Sequence, residues 1–248
     1  MKAFKVLNDS LRFLVKQPLF FAPNLISTTV WNAFLLYFLL EFGIDVTGFS
    51  KPPTIDVAFL YLTGSILVTV VSVYFHSMYP TLVKGYRKNK KFDFAKSMRV
   101  AWTCLPRTFL SVFLPVLLAT ALMLVPMVVA MLGVLTGNVL LMAIGFGTVA
   151  IITFYITLKF YFSPSSVIID DVGVFESFRR SFRLSKKYRT ETTYVVLISF
   201  ALIAVAFFLP GTIRTASLAA FVILRYVTSL TAAYMGVVNP TMYLELRR

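Results

Sequence analysis

Six stretches of the chain are apolar almost without interruption: residues 23–40, 57–79, 109–131, 139–158, 193–209 and 216–238. Each approaches or exceeds the roughly 20 residues that a helix needs to cross a ~30 Å hydrocarbon core. A strand of a membrane barrel would alternate apolar and polar positions over ~10 residues, and none of the six does so. Helices satisfy their own backbone groups inside lipid, so the pattern predicts an all-α polytopic membrane bundle of six transmembrane helices. No composition shift divides the chain, and 1–248 reads as a single membrane domain.

The polar segments between the spans keep a helical period. Phe175, Phe178 and Phe182 fall at i, i+3 and i+7, which makes one apolar face. Arg179, Arg183, Lys186 and Lys187 fall on other faces, on stems long enough to snorkel toward headgroups. Asp170, Asp171 and Glu176 lie toward the start of this helix and the cations toward its end, as the helix dipole favours. The first segment repeats the arrangement, with Phe4, Leu7, Leu11 and Leu14 in a stripe and Lys5, Asp9, Arg12 and Lys16 facing away. Both are predicted to be amphipathic interfacial helices.

Three of these segments share a mark: "DSLRFL" (9–14), "KSMRVA" (96–101) and "RSFRLS" (180–185). Each reads Ser, apolar, Arg, apolar and precedes an odd-numbered span, with Ser10, Ser97 and Ser181 at intervals of 87 and 84. A second mark ends every even-numbered span: Tyr79-Pro80-Thr81, Ser163-Pro164-Ser165 and Asn239-Pro240-Thr241. Pro80 to Ser97 and Pro164 to Ser181 are each 17 residues. Two marks in one phase predict three parallel hairpin repeats, 1–80, 81–164 and 165–248, each with an amphipathic helix and two spans.

Charge adds an orientation. Of 24 basic residues, 21 fall at one end of the predicted bundle, with Lys51 and Arg214 at the other and Arg225 inside the last span. The positive-inside rule therefore places both termini in the cytoplasm of a multi-pass cell (plasma) membrane protein. The net charge of +14 is concentrated at one membrane face. There each cation is attracted to anionic lipid headgroups by ~1 kcal/mol. Arg12, Arg99, Arg179, Arg180, Arg183, Lys186 and Lys187 are the candidate membrane-surface residues, and membrane lipids the expected partners. No nucleic-acid-reading motif accompanies the charge, so no nucleic-acid partner is expected. With 58% hydrophobic and 14% charged residues, the chain lies outside the soluble globular class. Its N-terminus lacks a continuous apolar core and cleavage site, so no cleaved signal peptide is expected.

Candidate chemistry is sparse. His76 stands alone at the end of the second span, and Cys104, the sole cysteine, in a loop. Neither has the company a metal site needs, no internal disulfide is available, and no cofactor is implied. No phosphate loop, nucleophile elbow or zinc-protease helix appears. Arg225 differs, because it lies nine residues into the sixth span. That is roughly 14 Å deep at 1.5 Å per residue. No Asp or Glu falls in any predicted span, so water, carbonyls, the hydroxyls of Tyr226 or Thr228, or an anionic ligand must solvate it. Arg225, Tyr226, Thr228 and His76 form the candidate ligand-binding set.

The stretch "SPSSVIIDDVGVFESFRRSFRLSKKYR" resembles the membrane domain attached to some glycerophosphodiester phosphodiesterases, and related bacterial and archaeal multi-span proteins of unassigned function. The ending "NPTMYLELRR" is similar to that family's close, with Tyr243, Glu245, Leu246 and Arg247 in matching places and Phe182 where the family usually has Trp. The resemblance covers about 85 residues of the last third. It implies a membrane domain without catalysis, since the family's phosphodiesterase chemistry belongs to a separate soluble barrel. Two functions fit the residues. One is non-enzymatic binding or translocation of an amphiphilic, anionic molecule such as a lipid. The other is a structural or accessory subunit that organises membrane or a partner through its basic face, alone, as a homo-oligomer or with a partner membrane subunit.

Overall fold

The computed structural model describes residues 2–42, 54–89, 92–213 and 218–247, the side chains of 39, 89 and 205–220 excepted. Lys51, Lys90, Lys91, Arg214 and Arg248, all counted in the charge asymmetry, lie outside them. Ten α-helices follow one another with no strand among the described residues. They are α1 (Lys2–Lys16), α2 (Ala22–Phe42), α3 (Ile55–His76), α4 (Met78–Asn89), α5 (Phe94–Thr136), α6 (Val139–Phe160), α7 (Ser163–Asp170), α8 (Val174–Lys187), α9 (Arg189–Ile213) and α10 (Leu218–Leu246).

Five segments are long and apolar enough to cross a membrane: Pro18–Phe42, Ile55–Lys88, Phe94–Thr136, Val139–Asp170 and Phe221–Leu246. The expected span at 193–209 falls within α9, a helix of 25 residues whose side chains from 205 onward are outside the description, and it is not counted with the five. The apolar windows of α3 and α5 are only 6% and 0% buried, so these helices turn most of their apolar surface outward. Outward apolar surface suits a lipid solvent, which leaves no hydrophobic force to drive helices together.

Close packing concentrates at the basic end. Met78, Tyr79, Leu82 and Val83 of α4 pack with Leu14, Phe20, Ala101 and Val237. A second cluster joins Ala3, Val6, Phe162, Val195, Met242 and Leu246. Helices α4 and α7, each with a marked proline in its first turn, and the turns of α10 from Pro240 onward touch one another there.

The Ser–apolar–Arg–apolar mark acquires a geometry here. Ser10, Ser97 and Ser181 are each at most 1% exposed, while the apolar residues after them, Leu11, Met98 and Phe182, are exposed. Arg12, Arg99 and Arg183 are exposed as well, and Phe13, Val100 and Leu184 half-buried. Successive residues turn 100° about a helix, so one tetrapeptide aims Ser at the protein, an apolar side chain outward and Arg away from the core. The inward face is thus made of small residues: Ser177, Ser181 and Ser185 on α8, and Ser97, Ala101 and Cys104 on α5. The aromatic stripe of α8 divides, with Phe175 and Phe182 exposed and Phe178 against Phe160 at 5.0 Å. On α1 the stripe also splits: Leu14 is buried and Phe4 and Leu11 are exposed.

Two expectations change. The second amphipathic segment is not a separate helix but the opening of α5, which runs 43 residues through Pro106, Pro115 and Pro126. At 1.5 Å per residue that is about 65 Å, twice the hydrocarbon thickness, so one end must leave the membrane. No glycine or turn dipeptide separates the two parts, whereas Gln17-Pro18 divides α1 from α2 through a 3-10 turn. Cys104 accordingly lies buried inside this helix and not in a loop. The α5–α6 turn is set by Gly137 at φ 65° and by Asn138, whose side chain accepts from the Leu140 and Leu141 amides.

Candidate ligand-binding site

Each marked proline lacks the N–H that the carbonyl four residues earlier would accept, which concerns His76, Phe160 and Gly236. Pro80, Pro164 and Pro240 converge on a cavity of about 350 Å³ lined by α2, α3, α4, α5, α7 and α10. Its walls are mainly apolar (Trp31, Val73, Val112, Ile168), with Ser72, His76, Ser77, Thr108, Ser165 and Asn239 as polar points. A mainly apolar cavity of this size with few polar groups has the build of a small-molecule site. A second cavity of about 380 Å³ lies between α5 and α6 and shares Val112 and Pro164 with the first.

Asn239 knits the proline layer together. Its amide nitrogen donates to the Tyr161 carbonyl at 2.5 Å, and its oxygen accepts from the Ser165 hydroxyl. His76 lies at the last turn of α3 and is exposed, its Nδ1 2.9 Å from the Ser72 carbonyl. A carbonyl only accepts, so Nδ1 carries the hydrogen and the neutral ring keeps Nε2 as an acceptor. Among the described residues no three of His, Cys, Asp and Glu come together as a metal site would require.

Arg225 lies apart from this cavity and lines neither of the two. It is seven residues into α10, and its guanidinium carbon sits 5.8 Å from the Phe221 ring centroid. The hydroxyls expected to solvate it are engaged elsewhere. Thr228 Oγ1 donates to the Arg225 carbonyl at 3.0 Å, and the Tyr226 hydroxyl pairs with Thr29 Oγ1 at 3.0 Å. The predicted set therefore splits, with His76 at the cavity and Arg225, Tyr226 and Thr228 toward the opposite end of α10.

The basic end holds a cross-chain clasp that sequence reasoning missed. Asp170, with a side chain 4% exposed, ends α7 and pairs with Arg180 at 2.7 Å and Arg247 at 2.5 Å. Arg87 reaches Glu245 at 2.7 Å and the Thr241 carbonyl at 3.1 Å, and Lys84 caps α7 at the Ile169 carbonyl. Asp171, at φ 53°, pairs with Arg107 at 2.7 Å. Of the three acids expected at the start of α8, only Glu176 is in its first turn, and it pairs with Arg180 at 3.0 Å. That contact, with Asp170, holds the Arg180 guanidinium above its ordinary pKa. Arg180 is thus held within the fold, whereas Arg12, Arg99, Arg179, Arg183, Lys186 and Lys187 are exposed. No family model, curated protein or solved structure matches the chain.

Proposed function

We propose that this chain is a six-span integral membrane protein that binds, and passes or presents without chemistry, an amphiphilic anionic molecule such as a lipid. The observation that carries the reading is the cavity where the three prolines meet. Its apolar walls suit an acyl chain, and its polar points lie beside the basic end, where the exposed arginines and lysines would attract an anionic head. In this reading the three hairpins are true repeats, the basic end faces the cytoplasm of the plasma membrane, and the last third is kin to the phosphodiesterase-associated membrane domain. The residues of that likeness support a folding role: Tyr243, Glu245 and Arg247 belong to the clasp, and Leu246 is buried.

Val112 stands in the walls of both cavities. Val112→Trp would fill that wall, and the purified variant should retain less co-purified lipid by mass spectrometry than the parent protein. Equal lipid in the folded variant would remove the cavity from the proposal. The scaffold reading draws on a different observation, the outward Leu11, Met98, Trp102 and Phe182 beside exposed cations. It gains if lipid content is unchanged but replacing these four by Ser abolishes membrane or partner association.

A further inference from the structure

Helix α2 turns a polar face inward. Apart from Pro23, its buried positions between 22 and 37 are Asn24, Ser27, Thr28 and Asn32, a spacing that keeps one helix face. Asn24 donates to the Ser229 carbonyl at 2.5 Å, and Ser27 donates to the Ser72 hydroxyl at 2.9 Å. Asn32 is different: it is 4% exposed, and neither atom of its amide has a partner. Buried amides are nearly always paired, so an open donor and an open acceptor together call for a partner, a water or a ligand.

A second open group lies across the seam on α10. Arg225 Nε is buried without a partner, and the guanidinium pairs with no carboxylate among the described residues. The Asn24–Ser229 bond fixes the register of the two antiparallel helices. Eight residues forward along α2 is Asn32, and eight residues back along α10 is Phe221. Both steps are about 12 Å. The guanidinium lies over Phe221, so it reaches the height of Asn32.

We propose that Arg225 and Asn32 hold a phosphoryl oxyanion in the α2–α10 seam. The guanidinium supplies charge and donors, and the Asn32 amide adds one donor group and one acceptor. The acceptor asks for a ligand that also carries a proton, which a carboxylate at neutral pH lacks. A hydroxyl-bearing phosphodiester headgroup and singly protonated inorganic phosphate both have one. The inference deepens the proposed lipid reading by naming the headgroup. It is tested apart from it, because neither residue lines the cavity.

Thermal unfolding of the purified protein would be followed during titration with dihexanoyl phosphatidylglycerol, dihexanoyl phosphatidylcholine and inorganic phosphate. The parent protein is expected to be stabilised saturably by phosphatidylglycerol and not by phosphatidylcholine. The apparent affinity should fall roughly tenfold or more in Arg225→Leu and in Asn32→Leu, the scale of one lost charge-assisted hydrogen bond, with Arg225→Lys between. An equal response to inorganic phosphate assigns the site to the free anion, and a response to phosphatidylglycerol alone assigns it to a lipid headgroup. Val112→Trp should leave these responses unchanged, so a failure of the cavity reading shows separately. A parent protein that answers to none of the three, or equally to both lipids, overturns the site. So does an undiminished response in folded Arg225→Leu or Arg225→Lys together with Asn32→Leu.

Discussion

The Tyr243 hydroxyl donates to Asp170 Oδ2 at 2.5 Å, joining the end of α10 to the end of α7 across 73 residues of sequence. The same oxygen accepts from Arg180, and Oδ1 is ion-paired with Arg247, so one buried acid holds groups from two helices and the tail. Asp170→Ala leaves those groups without their partner and should lower stability by about 1–3 kcal/mol. Lys5→Ala removes a 3.5 Å contact to Glu245 from a side chain 64% exposed, and should change stability by less than about 0.5 kcal/mol. Thermal unfolding of the two variants in one detergent checks the contrast, which equal shifts would contradict.

The marked serines are alike in burial but not in their partners. Ser181 donates to the Lys159 carbonyl at 2.7 Å and accepts from the Phe162 amide at 3.1 Å, stitching α8 to the break between α6 and α7. Ser181→Ala should cost about 1–3 kcal/mol, because it strands both groups. The Ser10 hydroxyl is buried and finds no partner among the described residues. Ser10→Ala should therefore be neutral, or stabilising by up to about 1 kcal/mol. Melting temperatures that fall equally would remove this distinction.

Glycine separates two cases on α6. A Cβ at Gly145 would come within 2.5 Å of the Ala130 backbone nitrogen, so this residue sets how closely α5 and α6 approach. Gly145→Ala should destabilise by about 1–3 kcal/mol, as overpacking against backbone does. At Gly147 a Cβ would meet nothing within 4 Å, and Gly147→Ala should gain about 0.5–1 kcal/mol from the restricted unfolded chain. Opposite signs in the same unfolding measurement are the expected result.

Much of this architecture was legible because long apolar runs and 3.6-residue periods are local signals. The amphipathic segments, the His76 position at the end of α3 and the three prolines could be placed from spacing alone. Which face turns inward could not. A lipid-exposed helix reverses the usual rule, so Asn24, Ser27, Thr28 and Asn32 look like scattered polar residues until α10 lies beside them. The joining of α5 through Pro106 is not local information, because the apolar run begins only at 109 while the helix starts at Phe94. The Asp170 clasp was hidden for another reason. Its cations, Arg180 and Arg247, are 67 residues apart in a chain with basic residues at many positions, and only tertiary structure shows them meeting one acid.

The charge asymmetry makes a prediction about sidedness. Lys88, at the end of α4, and Lys186, on α8, are exposed at the basic end. Val139 is the first residue of α6, exposed beside the Gly137 turn at the other end. Between Val139 and Phe160, α6 rises about 33 Å, enough to separate the two sides of a membrane. The positive-inside rule then places Lys88 and Lys186 in the cytoplasm and Val139 outside. Cysteine at each position, on a Cys104→Ala background, can be probed with an impermeant thiol reagent. Cys104 is buried and touches Arg107 through sulfur at 3.7 Å, so its replacement by a small residue should leave α5 in place. In intact cells only Val139→Cys should label, and Lys88→Cys and Lys186→Cys should label after the membrane is opened. The reverse pattern would place the basic end outside and remove the assigned orientation. Labelling of both ends in intact cells would show that α6 does not cross the membrane, and the bundle assignment would fail with it.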